Sequence, residues 1–311
     1  MNTEAMLAMM EAGQTENLTL WIGAFSLGSV FITIGGQWFS TRHGHPLLEI
    51  TTRWSRLIAI SFSTTYAAFA MDWAIATNRP PWSLAAFLLL GCVLFVTINI
   101  WFKVRGFSND DGPLFPRYHR NQETDEWPTS PNHIRLREWI REQGYRQVDS
   151  LLAYPVPETC IREFHFDSKD NLTRFCVSFI PRGVDRLYVA HSASSVTEDG
   201  DRYVTDNAFA PFGGYSPDHW KIDRRPFNRS PKNLLERHQK SMKSAGKQFT
   251  PWLDSPADDV KEQHRLLEKE NRDRGILNPR QSWEEYGRFS QEGCYRMWKE
   301  ILLLNYFGVV V

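Results

Sequence analysis

Cysteine is scarce in this chain, four in 311 residues, and the four are scattered. Cys92 stands in an apolar run, and Cys160, Cys176 and Cys294 follow at wide intervals. No disulfide framework and no zinc spacing is present. Net charge is lacking too: 36 Lys and Arg balance 36 Asp and Glu, so overall charge directs the chain to no polyanion. Gly213-Gly214 lacks the Gly-Lys-Ser/Thr that completes a phosphate loop, which sets nucleotide binding aside. Internal repeats and low-complexity tracts are missing. The opening residues lack the basic region and small-residue cleavage site of a secretory leader, so the first apolar run is expected to stay in place.

What the chain has is apolar length. Leu18–Trp38 carries no charge between Glu16 and Arg42, Leu57–Asn78 carries one acid, Asp72, and Trp82–Phe102 carries none before Lys103. About 20 apolar residues cross a hydrocarbon core as a helix, and helix is the state that pairs every backbone amide in lipid. Trp21 and Trp38 bracket the first run, Trp54 and Trp73 lie near the ends of the second, and Trp82 and Trp101 bracket the third. Indoles favour the headgroup level, so the placement fits three transmembrane helices.

Lys and Arg set the expected orientation. The N-terminal tail holds Glu4, Glu11 and Glu16 and no basic residue, whereas Arg42, Arg53, Arg56, Lys103 and Arg105 fall on the other side. The positive-inside rule puts the N-terminus outside and the C-terminal part in the cytoplasm, as in a multi-pass protein of a bacterial inner membrane. The chain divides as an outer tail (1–17), a three-helix transmembrane anchor (18–103), a linker rich in Asp, Gly and Pro (104–130) and a soluble α+β domain (131–311).

The α+β domain reads as a helix, a four-stranded antiparallel meander and C-terminal helices. Ser130, Ser230 and Ser255 each precede a proline and a helical stretch, with Gly144, Gly246 and Gly275 as stops. A further helix is expected from Ser282, with Glu285 completing a capping box. The apolar end, ILLLNYFGVVV, is too short to span and is expected in a core or against the anchor. Cys160–Phe166 and Leu172–Ile180 form one hairpin, with Phe164 opposite Phe175. Leu187–Thr197 and Arg202–Asn207 form another around Asp199-Gly200, with Val196 opposite Tyr203. The alternation sends His165 away from the core and places Cys160 and Cys176 on opposite faces. The interleaved charges of Pro256–Arg274 describe a solvated surface helix.

Few residues suggest chemistry. His43 and His45 in RHGHP lack further ligands, so no metal and no cofactor is expected. Asp72 and Asn99 are the polar groups of the apolar runs that a transport role would use. His191, beside Ser192, Ser194 and Ser195, and His219, in the aromatic-rich stretch after Asn207, are the imidazoles an enzyme would use if either faced an acid. Strand neighbours point to opposite faces, so His191 and Ser192 are no preformed pair, and mid-helix His238 reads as a surface or capping residue. Lys221, Arg224, Arg225, Arg229, Lys232, Arg237, Lys240, Lys243 and Lys247 form a basic stretch. Beneath an anionic leaflet it would meet lipid headgroups, and no reading motif for nucleic acid accompanies it. The expectation is a membrane-tethered binding or scaffolding domain whose partners are the bilayer and either anionic headgroups or a protein. The alternatives are an enzyme sited in the α+β domain and transport through the anchor.

Overall fold

The computed structural model describes residues 3–76, 79–109, 117–121, 127–156, 159–181, 187–279 and 288–309, with backbone alone for 3–16, 18–19, 41–43, 109 and 156. The chain forms two compact units. One holds the residues up to Lys103 together with Ile301–Val309, and the other runs from Val104 to Glu300.

The first unit is helical: α1 (Thr3–His43), α2 (Pro46–Ala70) and α3 (Pro81–Asn109). α1 begins within the stretch expected as a polar tail, and α3 runs six residues into the expected linker. Two segments, Leu20–Ser40 and Pro81–Ser108, are long and apolar enough to cross a membrane. The second apolar run departs from expectation. Its helix begins early because the His45 ring accepts a bond from Leu47 N (3.3 Å) and Pro46 takes the first helical position. It ends early at Ala70, where Met71 N bonds to Ala67 O (2.9 Å) and Asp72 adopts a positive φ of 50°. Leu57–Ala70, the helical part of that run, is about 21 Å long, against a hydrocarbon core of about 30 Å. The rest of α2 carries Glu49, Arg53 and Arg56.

Burial in this unit is reversed from that of a water-soluble bundle. Ser61 and Thr65 of α2 are fully buried. Ser26 Oγ lies 2.6 Å from Ser63 Oγ, and Thr33 Oγ1 lies 2.9 Å from Ser55 Oγ. A Cβ at Gly36 would collide with the Thr52 side chain, so a glycine is needed where α1 and α2 approach. Ile22, Leu57 and Leu84 are buried in this unit, while many large apolar groups face out: Phe31 is 72% exposed, Trp21 68% and Phe95 68%. The end of α7 (Gln291–Phe307) packs here too. Arg53 donates to the backbone and side-chain oxygens of Asn305 (2.9 and 2.8 Å), and Trp54 Nε1 donates to Tyr306 O (2.7 Å).

The second unit is built on one sheet with eight strands among the described residues: β1 (Tyr118–Arg120), β2 (Arg146–Val156), β3 (Thr159–Asp167), β4 (Arg174–Pro181), β5 (Leu187–Thr197), β6 (Arg202–Asp206), β7 (Trp220–Arg224) and β8 (Phe249–Thr250). β1 to β6 form an antiparallel meander in chain order, longer than the four strands expected. β7 returns parallel to β6 after the irregular residues 207–219, and β8 pairs with β5.

Both hairpins sit in a different register from the one expected. Phe166, not Phe164, pairs with Phe175, because Ser168 N bonds to Thr173 O (2.9 Å) and closes the four-residue loop one residue further along the chain. A two-residue shift keeps every side chain on its expected face. In the second hairpin Ser195, not Val196, pairs with Tyr203. Its loop holds three residues, closed by Thr197 N to Asp201 O (2.9 Å), with Gly200 at φ +85° taking the left-handed position.

Helices α4 (Pro131–Glu142), α5 (Pro231–Ala245) and α6 (Pro256–Asp273) start at the expected serines. Ser130, Ser230 and Ser255 each accept a bond from the backbone amide three residues on. The capping box at Ser282 and Glu285 lies outside the described residues. Phe164, Phe166, Phe175, Val177, Phe179 and Ala193 form the core with Ile140 of α4 and Leu234 and Leu235 of α5. Trp127 packs its ring on Phe164 and Phe179, with centroids 4.7 and 5.0 Å away.

Truncating a core phenylalanine leaves a cavity, so Phe175→Ala should cost about 3–5 kcal/mol of α+β unit stability. Phe31→Ala should leave that stability unchanged. Denaturant melts of the full chain in detergent, followed by near-ultraviolet circular dichroism, check both.

Candidate functional site

Alternation along β3 and β4 sends one set of side chains into the phenylalanine core and the other to the opposite face. On that opposite face Glu163 pairs in register with Ser178, and His165 with Cys176. The sequence reading sent His165 away from the core, and on that second face it is only 4% exposed.

Four polar side chains converge there with Tyr118 of the edge strand. Glu163 Oε1 accepts from Tyr118 Oη and from Ser178 Oγ, both at 2.9 Å. With that oxygen held twice, Oε2 faces His165 Nε2 at 3.6 Å. Cys176 Sγ stands 3.9 Å from the same nitrogen and 3.7 Å from Ser178 Oγ. The ligand atoms of Glu163, His165 and Cys176 all lie within 4.8 Å of one another. His165 Nδ1 is buried with no hydrogen-bond partner.

The electrostatics follow from the enclosure. Burial by itself lowers the His165 pKa, but Cys176 and Glu163 outweigh it and carry the imidazole up to about 10. Burial favours the neutral carboxyl at Glu163, and the bonds and charge of His165 reverse this and hold it ionised. Burial raises the Cys176 thiol, and the phenol of Tyr118 is raised by burial and by Glu163. Cys176 and Glu163 both face Nε2. A nucleophile–base–carboxylate relay needs one partner on each ring nitrogen, so the arrangement is a convergence of donors and not a relay.

An ion network continues along the face. Arg174 donates Nε and Nη2 to the two oxygens of Asp167 (2.9 and 3.2 Å) and Nη2 to Asp254 O (2.9 Å). Asp259 of α6 bonds to Arg202 and lies 3.7 Å from Arg174 Nη1. The Trp252 ring stacks under both guanidinium groups, at 4.5 and 5.1 Å. Every charge has an opposite partner, and the network fixes α6 and the Trp252 segment to the strands.

The core face holds His238 and His191. His238 is fully buried, with Ser195 Oγ 3.0 Å from Nε2 and Thr205 Oγ1 3.1 Å from Nδ1. His191, expected as a catalytic candidate, stacks on Phe175, and its Nδ1 faces the side-chain amide of Asn207 (3.2 Å). That amide also donates to Asn228 O (2.9 Å), while its oxygen accepts from His191 N (2.7 Å). Among the described residues no acid is seen to meet His191. His219 is exposed where β7 begins, so the two histidines are not brought together.

The remaining expected residues are dispersed. Asp72 is exposed in the turn after α2, and half-buried Asn99 lies 18 residues into α3, about 27 Å along its axis. In the basic stretch Arg224 pairs with Asp206 (3.1 Å), Arg225 and Arg237 share Asp223, and Lys232 lies 3.9 Å from Glu236. Lys247 bonds to Asp199 and Asp201 (3.2 and 2.8 Å). Arg229 lies over the Tyr188 ring, and Lys221 donates to Asp218 O (3.0 Å). Lys240 and Lys243 are exposed on α5. The Glu163–His165–Cys176 group went unread because the expected register set Cys176 opposite Glu163. The signal available was EFHF against FCVS.

Compared with models of known protein families, with curated proteins and with solved structures, the chain finds no match.

Burial holds His238 down to about 4. An unfolded imidazole titrates near 6.5, so between those values the unfolded chain binds more protons and stability rises with pH. The His238 contribution is complete above about pH 6.5. As pH falls toward 4 it is lost, and the loss totals about 3 kcal/mol. His191, held at about 3 by burial and then by Arg229 and His133, acts in the same direction. Denaturant melts at pH 7 and pH 5 should show the drop, and His238→Leu should flatten it while lowering stability at pH 7.

Proposed function

We propose that this chain is an integral membrane protein that crosses the bilayer more than once and carries its α+β unit at the cytoplasmic face as a non-enzymatic binding module. The observation behind the reading is the reversed burial of the helical unit. Hydroxyls of α1 and α2 face each other, while phenylalanines and tryptophans of α1 and α3 face out. In water such a surface would be a large aggregating patch. In lipid it is the solvent-matched face, and small polar side chains supply the packing between helices.

In this reading α2 is the middle crossing, although its apolar part is short. Its basic start, with Arg53 paired to Glu49 (3.4 Å), sits at the inner headgroups, where Asn305 and Tyr306 also bond. The cations of the first loop and those after α3 then share one side, as the positive-inside rule requires. The module role is favoured over catalysis because His191 meets no acid among the described residues and because Cys176 and Glu163 compete for one nitrogen. Transport is disfavoured by the separation of Asp72 and Asn99 along the bundle. The reading rests on the helical unit and not on the basic stretch, whose cations are largely paired within the unit.

The test is extraction of membranes from expressing cells with alkaline carbonate. The chain should remain in the pellet and move to the soluble fraction only with detergent. Release by carbonate alone would overturn the membrane reading.

A further inference from the structure

We infer that Glu163, His165 and Cys176 form a binding site for a single transition-metal ion of the zinc class. Three donor types from adjacent strands point at one small volume. Their separations carry the argument. Glu163 Oε2 and His165 Nε2 stand 3.6 Å apart, and Cys176 Sγ and that nitrogen 3.9 Å apart. A direct N–H···O bond in a bare ion pair would be about 2.7–3.2 Å. Ligands about 2.0–2.3 Å from a shared tetrahedral ion are separated by about 3.3–3.6 Å. The observed spacings are longer than direct hydrogen bonds, at or a few tenths of an ångström above the range for ligands around an ion, and all three ligand atoms lie within 4.8 Å of one another.

The surroundings agree. Tyr118 and Ser178 both hold Oε1 of Glu163, which leaves Oε2 directed inward as a monodentate ligand. Hydrogen bonds of this kind orient ligating carboxylates in metal sites. The His165 ring is buried, and its Nε2 meets only Glu163 Oε2 at 3.6 Å and Cys176 Sγ at 3.9 Å. A metal on Nε2 gives that nitrogen a full partner. One thiolate, one imidazole and one carboxylate make a borderline-soft set that suits zinc or cobalt and not calcium or magnesium. Three protein donors leave a fourth tetrahedral position for water or a small ligand. On binding, the Cys176 thiol and the His165 imidazolium each release a proton to solvent. The site lies within the α+β unit and does not depend on the membrane reading, so failure of carbonate resistance leaves it intact.

The probe is cobalt(II), titrated into the purified full-length chain in detergent. One equivalent should bind with a sulfur-to-cobalt charge-transfer absorption that zinc(II) abolishes. Cys176→Ser should lose the band, Cys160→Ser and Cys294→Ser should keep it, and Ser178→Ala should weaken affinity about tenfold. In the wild-type chain, zinc should also protect Cys176, and not Cys160, from alkylation mapped by mass spectrometry, which needs no variant to fold. Absence of the band in the wild-type chain, its survival in Cys176→Ser, or equal alkylation of Cys176 with and without zinc would each overturn the site.

Discussion

Serines and threonines of α1 and α2 are turned toward each other, and the rings of Phe31, Trp21 and Phe95 are turned away from the bundle. Water would reward the opposite arrangement, because burying apolar area is the dominant favourable term in aqueous folding. Lipid removes that preference, and packing then falls to small residues and hydroxyl contacts. In the proposed membrane reading, the rest of the chain depends on this choice of solvent. It accounts for the glycine opposite Thr52, for the placement of the cations, and for an apolar C-terminal segment that bonds to Arg53 and Trp54.

In the α+β unit, the sheet has no free face at β3 and β4 among the described residues. One face carries the phenylalanine core under α4 and α5. The other buries charge: Glu163, His165, Asp167 and Arg174, with Asp259 of α6. Isolated charges there would be prohibitively costly, so each is paired or hydrogen-bonded. The polar face is therefore a rigid, specified surface and not a solvated one. That rigidity is what places a thiol, an imidazole and a carboxylate within a few ångströms of each other.

Local signals in the sequence were legible and distant ones were not. The Ser-Pro pairs at 130, 230 and 255 gave the starts of α4, α5 and α6, because a cap is decided by three or four neighbouring residues. The faces of β3 and β4 followed from the alternating phenylalanines. β2 was missed because RQVDSLLAYPV mixes charge, a proline and apolar residues without alternation. Its strand state comes from pairing with β1 and β3. The parallel return of β7 has no local signature at all. α6 was taken for a solvated helix because its charges interleave, yet Asp259, Leu267 and Asn271 face inward. The two-residue register error hid the pairing of His165 with Cys176.

The central proposal is that the helical unit lies in lipid with the C-terminal part of the chain on the cytoplasmic side. The most direct test is a pair of C-terminal fusions, one to a reporter active only in the cytoplasm and one to a reporter active only outside it. The account predicts signal from the cytoplasmic reporter alone. Signal from the external reporter would contradict it, reversing the orientation drawn from Arg42, Arg53, Arg56, Lys103 and Arg105.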